Sequence, residues 1–329
     1  MRNAFADELT KLGDQDPRVV MLSGDIGNRL FDKFKAKHPA RFFNCGVAEA
    51  NMMGVAAGMA MNGLRPVAYT ITPFVTTRCL EQIRTDVCYH EAPVTIVAVG
   101  AGLAYSGLGP THHACEDISF LRSIPNMVVI CPGDAFEVRA ALQASMKQDR
   151  PVYIRMGKKG EPVVHKGPIA DFQIGKALTI SEGKDVCLLS TGNMLPEVIE
   201  AAHKLGEKGI SAQVVSFHTV KPLDEACLKD AFGRFRLVAT IEEHSLIGGF
   251  GAAVSEWLTD SRTSNQNFMR FGTPDAFFKK SGEQEYAREM LGLSAHQIAD
   301  KIINVLHRDP THENASRPPR PNGLAIGRG

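Results

Sequence analysis

No two of the seven cysteines have C-x-x-C spacing; Cys45, Cys79, Cys88, Cys115, Cys131, Cys187 and Cys227 are scattered, and their number is odd. That argues against a zinc site, a redox pair or a disulfide frame, so reduced thiols in a cytoplasmic protein are expected. Excess charge is lacking too. The formal net charge is +1 over 329 residues, and no dense basic cluster precedes the tail, so nothing points to nucleic acid. No apolar run is long enough to span a membrane: Val94 to Gly109 is uncharged but short, and Gly, Ser and Tyr interrupt it. Arg2, Asp7 and Glu8 bring charge too early for a signal peptide.

What is present is ordinary for a globular chain, 44% hydrophobic and 22% charged, and the length suggests about two domains. Asn3 to Gly13 has helical spacing, with Phe5, Leu9 and Leu12 on one side. Short apolar runs at Val19–Leu22, Arg65–Ile71, Pro93–Val99, Val128–Ile130 and Pro151–Met156 read as strands with helical segments between them. Such alternation predicts a parallel α/β layer. Glu161 to Ile174, rich in Pro, Gly and His, reads as a linker. Strand and helix alternate again after Gly175. The expected fold class is therefore α/β, with two parallel-sheet sandwich domains at 1–165 and 166–308. The Pro- and Arg-rich stretch 309–329 is expected to be disordered, because it has little apolar area to bury.

Within the first domain, Asn44 to Gly63 holds a single acid, Glu49, among small and flexible residues. A helix from about Ala48 puts Glu49 in the first turn, where the helix dipole favours a carboxylate. Gly54 and Gly58 inside that helix cost roughly 1 kcal/mol each relative to alanine, a cost that close approach of another backbone would explain. On pattern alone a packing helix with a well-placed Glu is the preferred reading, slightly ahead of a catalytic one.

The words Gly46-Val47-Ala48-Glu49, Asn51-Met52 and Ala56-Ala57-Gly58 resemble the pyrimidine-binding domain of thiamine-diphosphate enzymes of the transketolase type. The resemblance runs from Met1 to about Arg308, with motifs in family order. It implies that Glu49 contacts the aminopyrimidine and activates the cofactor, a task suited to a carboxyl whose apolar neighbours raise its pKa. It places Asp25, in Ser23-Gly24-Asp25, near the cofactor, although a turn residue or helix cap reads equally well there. Arg29 stands where the family has a hydroxyl that holds sugar phosphate; it is a solvated charge or an anion-binding replacement. Phe74 matches the ring that stacks on the pyrimidine, with one residue inserted before Arg78, and both are cofactor-binding candidates. Gly109-Pro110-Thr111-His112 matches the motif whose His faces the reacting carbon, which makes His112 the candidate to protonate or hydrogen-bond a developing oxyanion. The family's phosphate-binding Arg falls at Lys158, with Arg155 the alternative; each reads equally as a solvated charge.

Two departures from the family pattern concern the substrate. Leu108 and Gly100 stand where transketolases carry an Asp and a His that read sugar hydroxyls. A non-standard ketose is therefore expected. The Gly-Asp-Gly motif that holds the diphosphate and its metal is absent. The resemblance thus implies the C-terminal half of a split transketolase. Thiamine diphosphate, with Mg²⁺ or Ca²⁺ held by an N-terminal partner subunit, would be completed in an α2β2 assembly. The β subunit of a 2-oxoacid dehydrogenase or decarboxylase is the alternative; it shares the Glu-bearing helix and layout but generally lacks Gly-Pro-Thr-His here.

Overall fold

The computed structural model describes residues 1–27, 29–158, 160–263 and 267–308, so the tail expected to be disordered, 309–329, lies outside the described residues. Among the described residues twelve strands form two sheets. They are β1 (Val19–Ser23), β2 (Phe42–Asn44), β3 (Arg65–Ile71), β4 (Thr95–Val99), β5 (Val128–Ile130) and β6 (Val152–Met156), followed by β7 (Leu178–Ser181), β8 (Val186–Ser190), β9 (Ala212–Ser216), β10 (Thr219–Lys221), β11 (Leu237–Ser245) and β12 (Phe268–Thr273). The first sheet has the order β10-β5-β6-β4-β3-β1-β2, and the second β12-β11-β8-β9-β7.

Both sheets are mainly parallel, with one antiparallel edge strand each: β10 against β5, and β7 against β9. Every residue of β1, β4, β6 and β8 is buried, as expected where helices cover both faces of a parallel sheet. On one face of the first sheet, Phe5 and Leu9 of the helix Arg2–Gln15 meet Phe31, Phe34 and Tyr69. Phe5, Phe31 and Phe34 are almost wholly buried, which contributes roughly 1.5–3 kcal/mol apiece. On the other face, Met52, Ala56 and Ala60 of the helix Glu49–Met61 belong to a core that continues through Leu189, Phe217 and Phe250 into the second sheet. A further core covers the far side of the second sheet, with Val198 and Leu205 against Ile298 and Ile302.

The first sheet takes six strands from before the linker and one, β10, from after it. A strand from beyond the expected boundary thus completes the first sheet. The linker is fastened as well. Asp134 caps the helix Ala135–Ser145 through Oδ1, while its Oδ2 accepts from the Val164 and His165 amides at 2.9 and 2.8 Å. No helix among the described residues is long and apolar enough to cross a membrane.

Two local expectations change. The segment after β3, expected to be helical, is broken: a short turn of helix Thr72–Val75, a 3₁₀ turn Thr77–Cys79, one α-turn Leu80–Gln82, then a π-helix Ile83–Cys88. The glycines of the Glu49 helix meet no close backbone. A Cβ at Gly54 would touch only the Asp86 carboxylate, at 3.9 Å, and one at Gly58 would meet nothing within 4 Å.

Candidate active site at the carboxyl edge of the first sheet

Strand β1 pairs with β2 on one side and β3 on the other. The chain therefore reverses its direction of travel across the sheet here, the place where open α/β sheets form a crevice beyond their carboxyl ends. Gly24 follows β1, and a Cβ there would lie 3.1 Å from Thr70 of β3 and 3.5 Å from Cγ of Glu49. Lack of a side chain at Gly24 lets the start of the helix Glu49–Met61 sit against the switch point.

Glu49 is the first residue of that helix and is buried. Both of its oxygens accept from Arg78 Nη1 at 3.2 Å. Arg78 also lays its guanidinium 3.8 Å from the centre of the Phe74 ring. The extra residue between Phe74 and Arg78 is absorbed by the break at Thr76 and the 3₁₀ turn after it, and Arg78 lies over Phe74. Cys79 sits beneath this group, its thiol donating to the Phe74 carbonyl. Burial first, and then the negative charge of Glu49, push that thiol up to about 12.

The loop after β4 brings His112 edge-on to Phe74, with ring centres 5.1 Å apart, and within 6.1 Å of Tyr105. His112 Nδ1 lies 2.9 Å from Thr111 Oγ1. Its pKa is held below the ordinary histidine value, mainly by burial and then by the positive charge of Arg78. The lowered pKa favours the neutral imidazole near physiological pH.

Four of the residues singled out in the sequence, Glu49, Phe74, Arg78 and His112, thus form one continuous group. Asp25 stands beside it in the left-handed region (φ +54°) and accepts from Asn44 Nδ2 at 2.8 Å. Arg29 follows at the same end of β1, exposed, also with positive φ. Lys158, beyond β6, pairs with Glu283 at 3.5 Å.

Arg155 needs correction as a substrate-binding candidate. It is 1% exposed and points into the protein, where Nε donates to Asp117 at 2.8 Å and Nη2 donates to the carbonyls of Ala114 and Glu243. A guanidinium committed to those three partners has a structural role, joining β6 to the His112 loop and to β11.

Tyr105 is a neighbour of the site that the sequence does not single out. A Cβ at Gly100 would fall 2.2 Å from its ring, so Tyr105 fills the space a side chain at that position would take. The signal was the glycine itself, read only as a lost polar group. Among the described residues no group of three His, Cys, Asp or Glu is arranged to hold a metal ion.

Residues 1–161 match the family described as transketolase, pyrimidine binding domain, and residues 175–298 match transketolase, C-terminal domain. A putative transketolase C-terminal section from Methanocaldococcus jannaschii is 36% identical over 311 residues, 94% of this chain and 97% of that protein. The chain belongs to the transketolase family. A 6-deoxy-6-sulfo-D-fructose transketolase subunit from a Clostridium species is 36% identical over 94% of this chain and 95% of its own length. A split-gene transketolase, solved as an inactive β4 tetramer, is 37% identical and superposes with a TM-score of 0.83 over 93% of this chain and 97% of that one. This transketolase chain is accordingly of the split, C-terminal type, a subunit of a transferase.

Proposed function

We propose that this chain works with an N-terminal subunit, as an α2β2 thiamine-diphosphate-dependent transketolase, to move a two-carbon ketol unit from a modified ketose. The observation that carries the reading is the convergence of a buried carboxylate at a helix N-terminus, Glu49, with the Phe74 ring and the His112 imidazole.

The donor set suits an aminopyrimidine. Glu49 offers a carboxylate to a ring nitrogen, Phe74 an aromatic face, and Gly24 a stretch of chain without a side chain. Thiamine diphosphate, when bound, supplies the nucleophilic carbon that takes up the ketol unit. Glu49 would hydrogen-bond the ring nitrogen through its carboxyl group. Phe74 would offer one face of the heterocycle the ring surface that Arg78 covers in this structure. His112 donates a hydrogen bond from Nε2 to the substrate oxygen on which charge develops. Asp25 and Asn44 hold the β1 loop at the edge of the site.

Diphosphate and a Mg²⁺ or Ca²⁺ ion fall to the partner subunit, because the Gly-Asp-Gly motif is absent from this chain. Exposed apolar side chains at Phe43 and Val47, ahead of Glu49, and at Val55 and Met61 on its helix suit burial against that partner. The modified ketose is supported by Leu108 and Gly100, where polar contacts to sugar hydroxyls are missing. The name of the Clostridium relative, which carries a sulfonated sugar, supports it too. Arg29 and Lys158 are the cations offered to an anionic far end.

The test is calorimetric titration of thiamine diphosphate and Mg²⁺ into the chain alone and into the mixture with its partner. Tight binding is expected only in the mixture. Tight, metal-dependent binding by the isolated chain would overturn the division of labour.

A further inference from the structure

Near its end strand β11 carries three consecutive buried ionisable residues, Glu242, Glu243 and His244. Strand alternation turns neighbours to opposite faces. Glu242 caps the helix Phe250–Asp260, accepting from the Phe250 and Gly251 amides at 2.7 and 2.8 Å. Glu243 reaches across to the first domain. Its Oε1 accepts from the Leu103 amide at 2.6 Å and from Gln284 Nε2 at 2.7 Å, while Oε2 accepts from Arg288 Nε.

Leu103 lies in the loop that carries His112. The neck of that loop is closed by paired backbone bonds between Gly102 and Ala114, at 3.0 and 2.8 Å. Gly102 has φ +58°, and a Cβ there would sit 2.4 Å from Glu243 Oε1. The loop and the carboxylate are thus in direct backbone contact, which only glycine allows. A second fastening comes from the same side, where Ser106 Oγ donates to the Gly282 carbonyl. A buried ion pair is weak evidence for stability; what Glu243 and Arg288 supply is a fixed acceptor for the Leu103 amide.

We infer that Glu243, although it belongs to the second sheet, is a positioning residue that holds the His112 loop in register with Glu49 and Phe74. The inference rests on the role proposed above for His112. It gives the C-terminal domain a part in the reaction through its grip on a loop of the first domain.

Two double variants separate positioning from stability, assayed in the reconstituted two-subunit enzyme. E243L/R288M removes both charges and the acceptor. E243Q/R288Q also removes both charges but keeps an acceptor for Leu103. The amide oxygen introduced at position 243 faces Leu103, and its amide nitrogen donates to the amide oxygen introduced at position 288, which takes about the place of Arg288 Nε. Similar melting temperatures are expected. For E243L/R288M, kcat should fall about a hundredfold with KM nearly unchanged, and the Leu103 amide should lose its hydrogen-exchange protection. E243Q/R288Q should recover most of the turnover. Unchanged kcat in E243L/R288M would overturn the inference, as would a retained Leu103 bond.

If E243L/R288M does not fold, Gly102→Ala decides, since it pushes the loop off Glu243 and leaves the ion pair intact. Normal turnover with an unprotected Leu103 amide would again overturn it. Leu103 exchange and the His112 ring resonance are read on the chain itself, without substrate. An assembly inactive in its parent form therefore refutes the proposed reaction, while these signals still judge the clamp.

Discussion

The guanidinium of Arg78 lies 3.8 Å from the centre of the Phe74 ring and donates to both oxygens of Glu49. One cation covers both the flat face and the carboxylate that a heterocyclic cofactor would use, and it adds positive potential at His112. Replacing Arg78 by Met removes that charge but leaves the burial. The pKa of His112 should rise toward, without reaching, the ordinary value of about 6.5. An NMR titration of the His112 ring in the two proteins measures this, and no change would mean that the charge is fully screened.

Glu49→Gln is nearly isosteric and leaves the helix start in place, so thermal unfolding should change little. Exchange of the cofactor's acidic C2 proton in the assembled enzyme should slow by at least about a hundredfold, the usual scale for losing a positioned proton-transfer group. Proton exchange followed by NMR makes the comparison. Exchange at the parent rate would remove Glu49 from the chemistry.

Gly58 and Gly100 respond to alanine in opposite ways. At Gly58 the methyl meets nothing within 4 Å, and the helix gains about 1 kcal/mol, so the isolated chain should melt higher. If the partner packs on this face, the same methyl weakens assembly, which sedimentation at graded concentrations would reveal. At Gly100, with φ +88° and Tyr105 2.2 Å from the added carbon, alanine should destabilise by about 1–3 kcal/mol and displace Tyr105. A midpoint for Gly58→Ala no higher than the parent's would contradict the first argument, and one for Gly100→Ala no lower than the parent's the second.

His218 is fully buried, stacked on Phe172 with ring centres 4.0 Å apart, and burial lowers its pKa to about 4. The unfolded chain takes that proton near pH 6.5. Between about pH 6.5 and 4 the unfolded state binds more protons, so stability falls on acidification through this window. His218→Phe should make the loss from about pH 7.5 to about pH 5 smaller by roughly 2 kcal/mol. His244, also lowered to about 4 by burial, retains its own share. Urea midpoints at the two pH values provide the check, and identical losses would rule out His218 as a source.

A donor panel with the reconstituted enzyme addresses specificity. Ketoses with an anionic far end and an altered C3–C4 region should exceed xylulose 5-phosphate in kcat/KM, because each buried polar group left unpaired costs about 1–3 kcal/mol. A clear preference for xylulose 5-phosphate would mean that Leu108 and Gly100 do not alter the choice.

The alternation of strands and helices was legible because β1, β3, β4, β5 and β6 are short apolar runs covered on both faces. The grouping of Glu49, Phe74, Arg78 and His112 was legible from motifs that each follow a strand of that sheet. What local sequence concealed were relations over long separations. Arg155 reads as a cation near a strand end until Asp117, 38 positions away, is seen to hold it. Gly100 reads as a missing side chain until Tyr105 is seen in its space. Glu243 looks like one more acid in a strand, because its partners Leu103 and Arg288 lie 140 positions before and 45 after it. Strand β10, three residues of Thr-Val-Lys, carries no local sign of which sheet it joins.

That last strand decides how the chain can be divided. β10 protects the β5 edge, which would otherwise present unpaired backbone groups. The linker is itself tied to Asp134, and one core runs through both sheets. A proteolytic nick within 161–174 therefore yields two fragments that stay together until the whole chain melts. Expressed alone, residues 1–165 lack both an edge strand and the part of one core that the second sheet supplies. The two halves recognisable along the sequence are inseparable as folding units.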